Sequence, residues 1–302
     1  LPNSLQNREE AIARALAEFT KLRASNPTAA LTRGYEVLRS FREENAQAAV
    51  ANCLRHLGSI LAETGDPHTG LKFVIESEQI FRALDDARGI IAALAVQGTC
   101  LAAQGLHQRA LRATLQAMRI ARETGLREDV ARLSSGLGSL YRATGKYDLA
   151  TLTYRSGMRL ASRLKMHGVY LGSLNNIAMC SLDQGDPAQA LRLVRRVMRF
   201  DLTKPETVFV SAYAYHTYGS ALMALEQFAQ AKSALLTAHE AARARTLSTV
   251  ERRCAFDLGK LGMATGDIAL AREYLDLAHY AAIHANDYHD ALQVAIAMAK
   301  LE

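Results

Sequence analysis

The chain has 302 residues, 49% hydrophobic and 22% charged, with a net charge of +6. That balance excludes a disordered or collagen-like chain and leaves room for two compact domains or one extended array. The longest apolar run, "IIAALAV" at 90–96, is far short of the roughly 20 residues a membrane span needs.

The opening "LPNSLQNREE" lacks the basic region and apolar core of a secretion signal. Leu1 in place of a methionine is what a processed or shortened piece of a longer protein would show. Cys53, Cys100, Cys180 and Cys254 form no C-x-x-C pair, which argues against a zinc site or a disulfide framework and for a reducing, cytoplasmic setting. The arginines mostly alternate with Glu and Asp, so the positive charge does not by itself imply a nucleic-acid surface.

Along the chain, helix starts are announced by an Asx-Pro signal. "SNPTAAL" (25–31), "GDPHTGL" (65–71) and "GDPAQAL" (185–191) each place Asn or Asp at an N-cap and Pro at the first helical position. Three series of small residues then share one period of about 40 residues: Gly58, Gly98, Gly138, Ala178, Gly219, Gly259; Gly65, Gly105, Gly145, Gly185, Glu226, Gly266; and Gly70, Ala110, Ala150, Ala190, Ala231, Ala271. Each unit reads as two amphipathic helices. In the third, Leu133, Leu137, Leu140 and Tyr141 mark one face of the first helix, and the second runs through Leu149, Leu152 and Met158. Gly145 suits a left-handed residue ending the first helix. Gly138 and Ala150 are expected to face each other where the two helices cross.

This pattern predicts a single domain, 1–302, of seven helix pairs at about 7–44, 45–86, 87–126, 127–166, 167–206, 207–247 and 248–286, closed by a helix at about 287–301. One extra residue enters between Ala190 and Gly219. "DLTKPE" (201–206) is its expected place, with Pro205 ending one helix and restarting the next and the stacking angle changing there.

The run "LGSLYRATGKYDLA" (137–150) resembles the tetratricopeptide repeat, in which Leu-Gly, an aromatic, Gly-x-Tyr and Ala recur at set offsets. "LNNIAMCSLDQGDPAQAL" (174–191) matches less fully, and Glu18 stands where the earliest unit would carry its first glycine. The period exceeds the usual 34, as in the long-helix arrays of kinesin light chain and of bacterial peptide-sensing regulators. The resemblance implies an all-α fold, a right-handed superhelical solenoid whose first helices line a concave groove. The opening repeats are also similar to those that precede a diguanylate cyclase, adenylate cyclase or DNA-binding domain in bacterial signalling proteins.

Alternative chemistries are poorly supported. "TGKY" lacks the Ser or Thr and the glycine spacing of a phosphate loop and is flanked by helices. "HEAAR" (239–243) has Arg243 where a zinc protease needs its second histidine. His279, His284 and His289 lie five apart, off any single helix face, around a turn expected near Asn286. The cysteines fall at core positions of their repeats. No motif points to an enzyme, a cofactor or a metal.

On the tetratricopeptide likeness, the groove positions include Asn52, Arg55 and Ser59, then Arg132 and Ser135, Asn175 and Asn176, Tyr213 and His216, and Arg253 and Lys260. Asparagines there could bond an extended backbone, and the cations could hold carboxylates. The first expectation is a non-catalytic, cytoplasmic interaction module, the regulatory part of a bacterial signalling protein, binding a protein segment in the groove. A receptor for a short signalling peptide is the second, and a nucleic-acid-binding repeat the third. Homo-oligomerisation is left open.

Overall fold

A computed structural model describes residues 2–23, 26–285 and 287–301, with the side chains of 11–22, 26–285 and 287–301. Ser25 of the first Asx-Pro signal and Asn286 of the histidine-rich turn lie outside the described residues. Among those residues there are fifteen α-helices and no strand. No helix among the described residues is long and apolar enough to cross a membrane.

The chain divides into two compact units, 1–129 and 130–302. The first holds α1 (Pro2–Arg23), α2 (Pro27–Glu43), α3 (Gln47–Glu63), α4 (Pro67–Ala83), α5 (Ala87–Ala103) and α6 (His107–Glu123). Its core is built on Phe19, Phe41, Leu54 and Leu57. The second takes in most of α7 (Arg127–Ala143), then α8 (Tyr147–Arg163), α9 (His167–Asp183), α10 (Pro187–Val197), α11 (Val208–Ala224), α12 (Phe228–Arg243), α13 (Ser248–Thr265), α14 (Ile268–His284) and α15 (Tyr288–Ala299). Its largest core cluster centres on Leu171, Leu174, Val194, Leu222 and Leu235.

Capping follows the sequence signal. Asn26, Asp66 and Asp186 each accept the backbone N–H three residues on, at 2.9, 3.0 and 2.8 Å. The turns are more regular than the glycines suggested. A left-handed residue stands at 45, 65, 85, 105, 125, 145, 165 and 185, every 20 residues, and again at 226, 246 and 266. The N–H of the next residue reaches back to the helix end, as in Ala46 to the Phe41 carbonyl (2.9 Å) and Lys146 to that of Tyr141 (2.9 Å). Five of these positions are not glycine: Asn45, Asp85, Lys165, Glu226 and Thr246. A β-branched residue at φ 52° is the most strained. Thr246→Gly should therefore raise the unfolding free energy by about 1 kcal/mol in urea denaturation; an unchanged midpoint would mean the turn carries no such strain.

Two packing expectations need correction. The partner nearest Gly138 is Tyr154 rather than Ala150: a Cβ built on Gly138 would lie 2.6 Å from the ring, while the matching Gly70 and Ala110 carbonyl oxygens come within 2.8 and 3.5 Å of a Cβ on Gly58 and Gly98. The same offset of sixteen residues recurs, with Gly58 against Val74, Gly98 against Thr114, Gly219 against Leu235 and Gly259 against Leu275. The first-helix glycine thus seats a second-helix side chain of variable size. The second correction concerns α8. Leu149 and Leu152 are exposed (47% and 61%), and the buried stripe is Ala150, Tyr154, Gly157 and Ala161. The alanine stripe wins because it lets the helices approach closely, whereas leucine spacing alone had suggested the opposite face.

The fifth pair is broken earlier than Pro205. Helix α10 stops at Val197 after 11 residues, where the helices around it run 17. Residues 198–207 are turns. Asp201 Oδ1 accepts the Thr203 N–H (3.0 Å) and hydroxyl (2.6 Å), and the Thr207 hydroxyl donates to the Asp201 carbonyl (2.7 Å). Pro205 would clash with that carbonyl in a helix, so the chain leaves the helix upstream of the proline.

Candidate functional site

The expected groove residues divide between the units: Asn52, Arg55 and Ser59 in the first, the other eight in the second. On α3, Asn52 donates to the Ala48 carbonyl (3.0 Å) and accepts from Arg55 (3.3 Å), while Ser59 is buried. On α7, Arg132 is exposed and the Ser135 hydroxyl lies 3.3 Å from that of Ser173 on α9. Asn176 is half-buried, and Tyr213 and Arg253 are exposed.

The second unit gathers the rest. Asp257, on α13, is buried beneath α11. Its Oδ2 accepts from the Ser220 hydroxyl (2.9 Å) and His216 Nε2 (3.1 Å), and its Oδ1 meets Lys260 Nζ at 2.5 Å. Bonding to the carboxylate assigns the proton of a neutral His216 ring to Nε2. The Lys260 ammonium also sits 4.7 Å from the Phe256 ring centre. Burial alone would push the Asp257 carboxyl up, but the His216 bond and the Lys260 charge hold it well below the usual carboxylate range. His216 and Lys260, chosen as separate ligand contacts, are thus partners of one carboxylate. Asp257 is the member that the sequence reading left off its list of binders. A His at one groove position and an Asp in the next repeat was the available signal.

Two oxygens on the adjacent helices α9 and α11 are left over. Asn175 Oδ1 on α9 and Thr217 Oγ1 on α11 are buried and have no hydrogen-bond partner among the described residues. Most buried polar atoms are paired, so each unpaired oxygen is a cost to the protein as it stands.

Other candidate chemistry resolves into structure. The four cysteines are buried and free, and burial pushes the Cys53 and Cys100 thiols up to about 12. Cys53 Sγ donates to the Gly34 carbonyl at 3.3 Å. Lys146 of "TGKY" is the N-cap of α8, in a helical turn. Among the described residues no three His, Cys, Asp or Glu side chains are placed to hold a metal.

Helical hairpins of this length, with a left-handed turn every 20 residues, have close counterparts among solved structures. Rap protein complexed with competence and sporulation factor superposes with a TM-score of 0.66 at 15% identity, over 94% of this chain and 80% of that one. NprR in complex with its cognate peptide NprX gives 0.65 at 14%, over 95% and 83%. The apo form of RapI gives 0.64 at 12%, over 96% and 99%. The chain is a tetratricopeptide-type helical repeat array. No protein-family model and no curated protein sequence matches it. The likeness between this repeat array and those structures is therefore one of fold, carried by turn and helix geometry at very low identity.

Proposed function

We propose that this repeat array is a non-catalytic regulatory module that binds an extended protein segment along the first helices of the second unit, α9, α11 and α13. The observation that carries this is the pair of buried, unpartnered oxygens on adjacent first helices, Asn175 Oδ1 on α9 and Thr217 Oγ1 on α11, with the Asp257–Lys260 charge cluster on α13. An extended segment offers backbone N–H donors, which those acceptors lack. Arg253 supplies charge for acidic side chains of the guest, Lys260 being held by Asp257, and Arg132 and Asn176 extend the polar face. Exposed inner helix faces are what solenoids of this kind use for partners.

A short signalling peptide is the second reading, favoured by the NprR neighbour, which is in complex with its cognate peptide. Asn52, Arg55 and Ser59 would serve the same purpose in the first unit. In the cell the module would act in the cytoplasm and pass its bound state to an output domain such as a diguanylate cyclase; the full reading frame tests that placement. Nucleic acid is the disfavoured partner, and salt-independent mobility on RNA and DNA gels would exclude it.

The direct test selects peptides by display and titrates them by calorimetry. Asn175→Ala is expected to weaken a selected peptide at least tenfold, about 1.4 kcal/mol, while thermal stability holds or rises, because the orphan oxygen is a cost to the empty protein. Unchanged affinity in this variant would reject the face.

A further inference from the structure

The break in the fifth hairpin leaves more than a bend. Six further residues would have brought α10 to the length of its neighbours; instead the chain turns away and a cavity of about 420 Å³ opens beside α11. That is within the range of about 300–1,000 Å³ usual for small-molecule sites. Met198, Leu202, Val208 and Tyr215 give it apolar walls, and Asp201 and Arg245 also line it.

Those two charges are the informative feature. Arg245 is half-buried, and its guanidinium forms no hydrogen bond or ion pair among the described residues. Asp201 is exposed and uses Oδ1 for Thr203; Oδ2 forms no hydrogen bond or ion pair among the described residues, although the Lys204 charge acts on the carboxylate from nearby. The Thr203 bonds hold its carboxyl below the usual range, so it is ionised near neutrality. A cation and an anion share one small cavity and do not pair with each other. The space they flank suits a guest that carries both opposite charges and an apolar body.

We propose that this cavity binds a free α-amino acid with an apolar side chain of leucine or phenylalanine size. The ligand carboxylate meets Arg245, its ammonium meets Asp201, and its side chain packs on Met198, Leu202, Val208 and Tyr215. Arginine is the residue best shaped to hold a carboxylate through two parallel bonds. The site is distinct from the peptide-binding face and does not depend on it.

Calorimetry with L-leucine and L-phenylalanine tests this, with isovalerate and phenylacetate as carboxylates lacking the ammonium, and isoamylamine and phenethylamine as amines lacking the carboxylate. Saturable binding of at least one amino acid is expected below about 10 mM, at least tenfold tighter than its single-charge analogues. Arg245→Gln and Asp201→Asn should each weaken it at least tenfold; asparagine keeps the Oδ1 acceptor that Thr203 needs, so the turn survives. Circular dichroism melting confirms that both variants fold, and Asn175→Ala should bind the amino acid as the wild type does. No saturable binding, an analogue binding as tightly as the amino acid, or an Arg245→Gln variant of wild-type affinity would each overturn the assignment.

Discussion

Replacing Gly138 with alanine is expected to cost about 2 kcal/mol of unfolding free energy, although alanine is the better helix former by about 1 kcal/mol. The reason lies on the facing helix. The new methyl group would meet three Tyr154 ring atoms at 2.6–2.8 Å. The ring cannot swing away cheaply, because it is 1% exposed and its hydroxyl lies 2.9 Å from that of Ser139. Burial also pushes the Tyr154 phenol up to about 12, so ionisation does not loosen it near neutral pH. The chain contains its own control. Ala178 and Val194 occupy the same two positions, sixteen residues apart, and both are fully buried in one core cluster. In a Tyr154→Val background the penalty of Gly138→Ala should therefore fall to nothing or turn into a small gain. Equilibrium denaturation of the four proteins measures the coupling, expected at about 2 kcal/mol. Additive effects would mean that the glycine is there for some reason other than the ring.

The second large effect is expected at the C-terminal helix. Arg252 on α13 has a side chain only 8% exposed, and it joins two carboxylates of α15. Its NH2 nitrogen lies 2.6 Å from Asp287 Oδ2 and 2.9 Å from Asp290 Oδ2, and its Nε donates to the latter at 3.1 Å. Asp287 is at the same time the N-cap of α15, accepting the Asp290 N–H at 3.1 Å. Removing the guanidinium leaves two like charges together at a helix start with no cation beside them. Both carboxylates are more than a third exposed, so water screens part of the loss, and Arg252→Ala should cost about 2–3 kcal/mol rather than the full cost of a buried pair. The loss is local to the docking of α15. Amide exchange there should accelerate roughly 30- to 150-fold at constant pH, by the usual conversion of about 1.4 kcal/mol per factor of ten. Arg252→Lys should recover only part of it, since one ammonium cannot reproduce the planar fork. Exchange at wild-type rates in Arg252→Ala would show that apolar contacts alone hold the helix.

Much of the architecture could be read from the sequence because its signals are local. Asn26, Asp66 and Asp186 announce helix starts whatever surrounds them, and Gly145 announces a left-handed helix end. The turns at 45, 85, 165 and 246 were not seen, because Asn, Asp, Lys and Thr stand there and only the backbone reveals the shared conformation. The packing of α8 was misjudged for a related reason. Leu149 and Leu152 look like core residues by hydrophobicity, while the stripe that is buried owes its place to smallness. The second partner of each first-helix glycine, sixteen residues on, was not foreseen, since it depends on how deeply two helices interlock.

Site residues were legible as positions and not as chemistry. The repeat register found His216 and Lys260, but only coordinates show that both serve Asp257. Asn175 was expected to face a guest; the structure adds that its oxygen is buried without a partner. Arg245 and Asp201 were missed because the cavity they line exists only where the repeat fails. The single extra residue between Ala190 and Gly219 and Pro205 in "DLTKPE" were the sequence marks of that failure.

The claim on which the functional account rests is that first helices of the second unit form the binding face. Hydrogen–deuterium exchange, read with and without a peptide selected by display, tests it most directly. Protection is predicted in α9, α11 and α13, strongest around Asn175, Thr217 and Asp257, with little change in α10, α12 and α14. Protection confined to α10, α12 and α14 would contradict it.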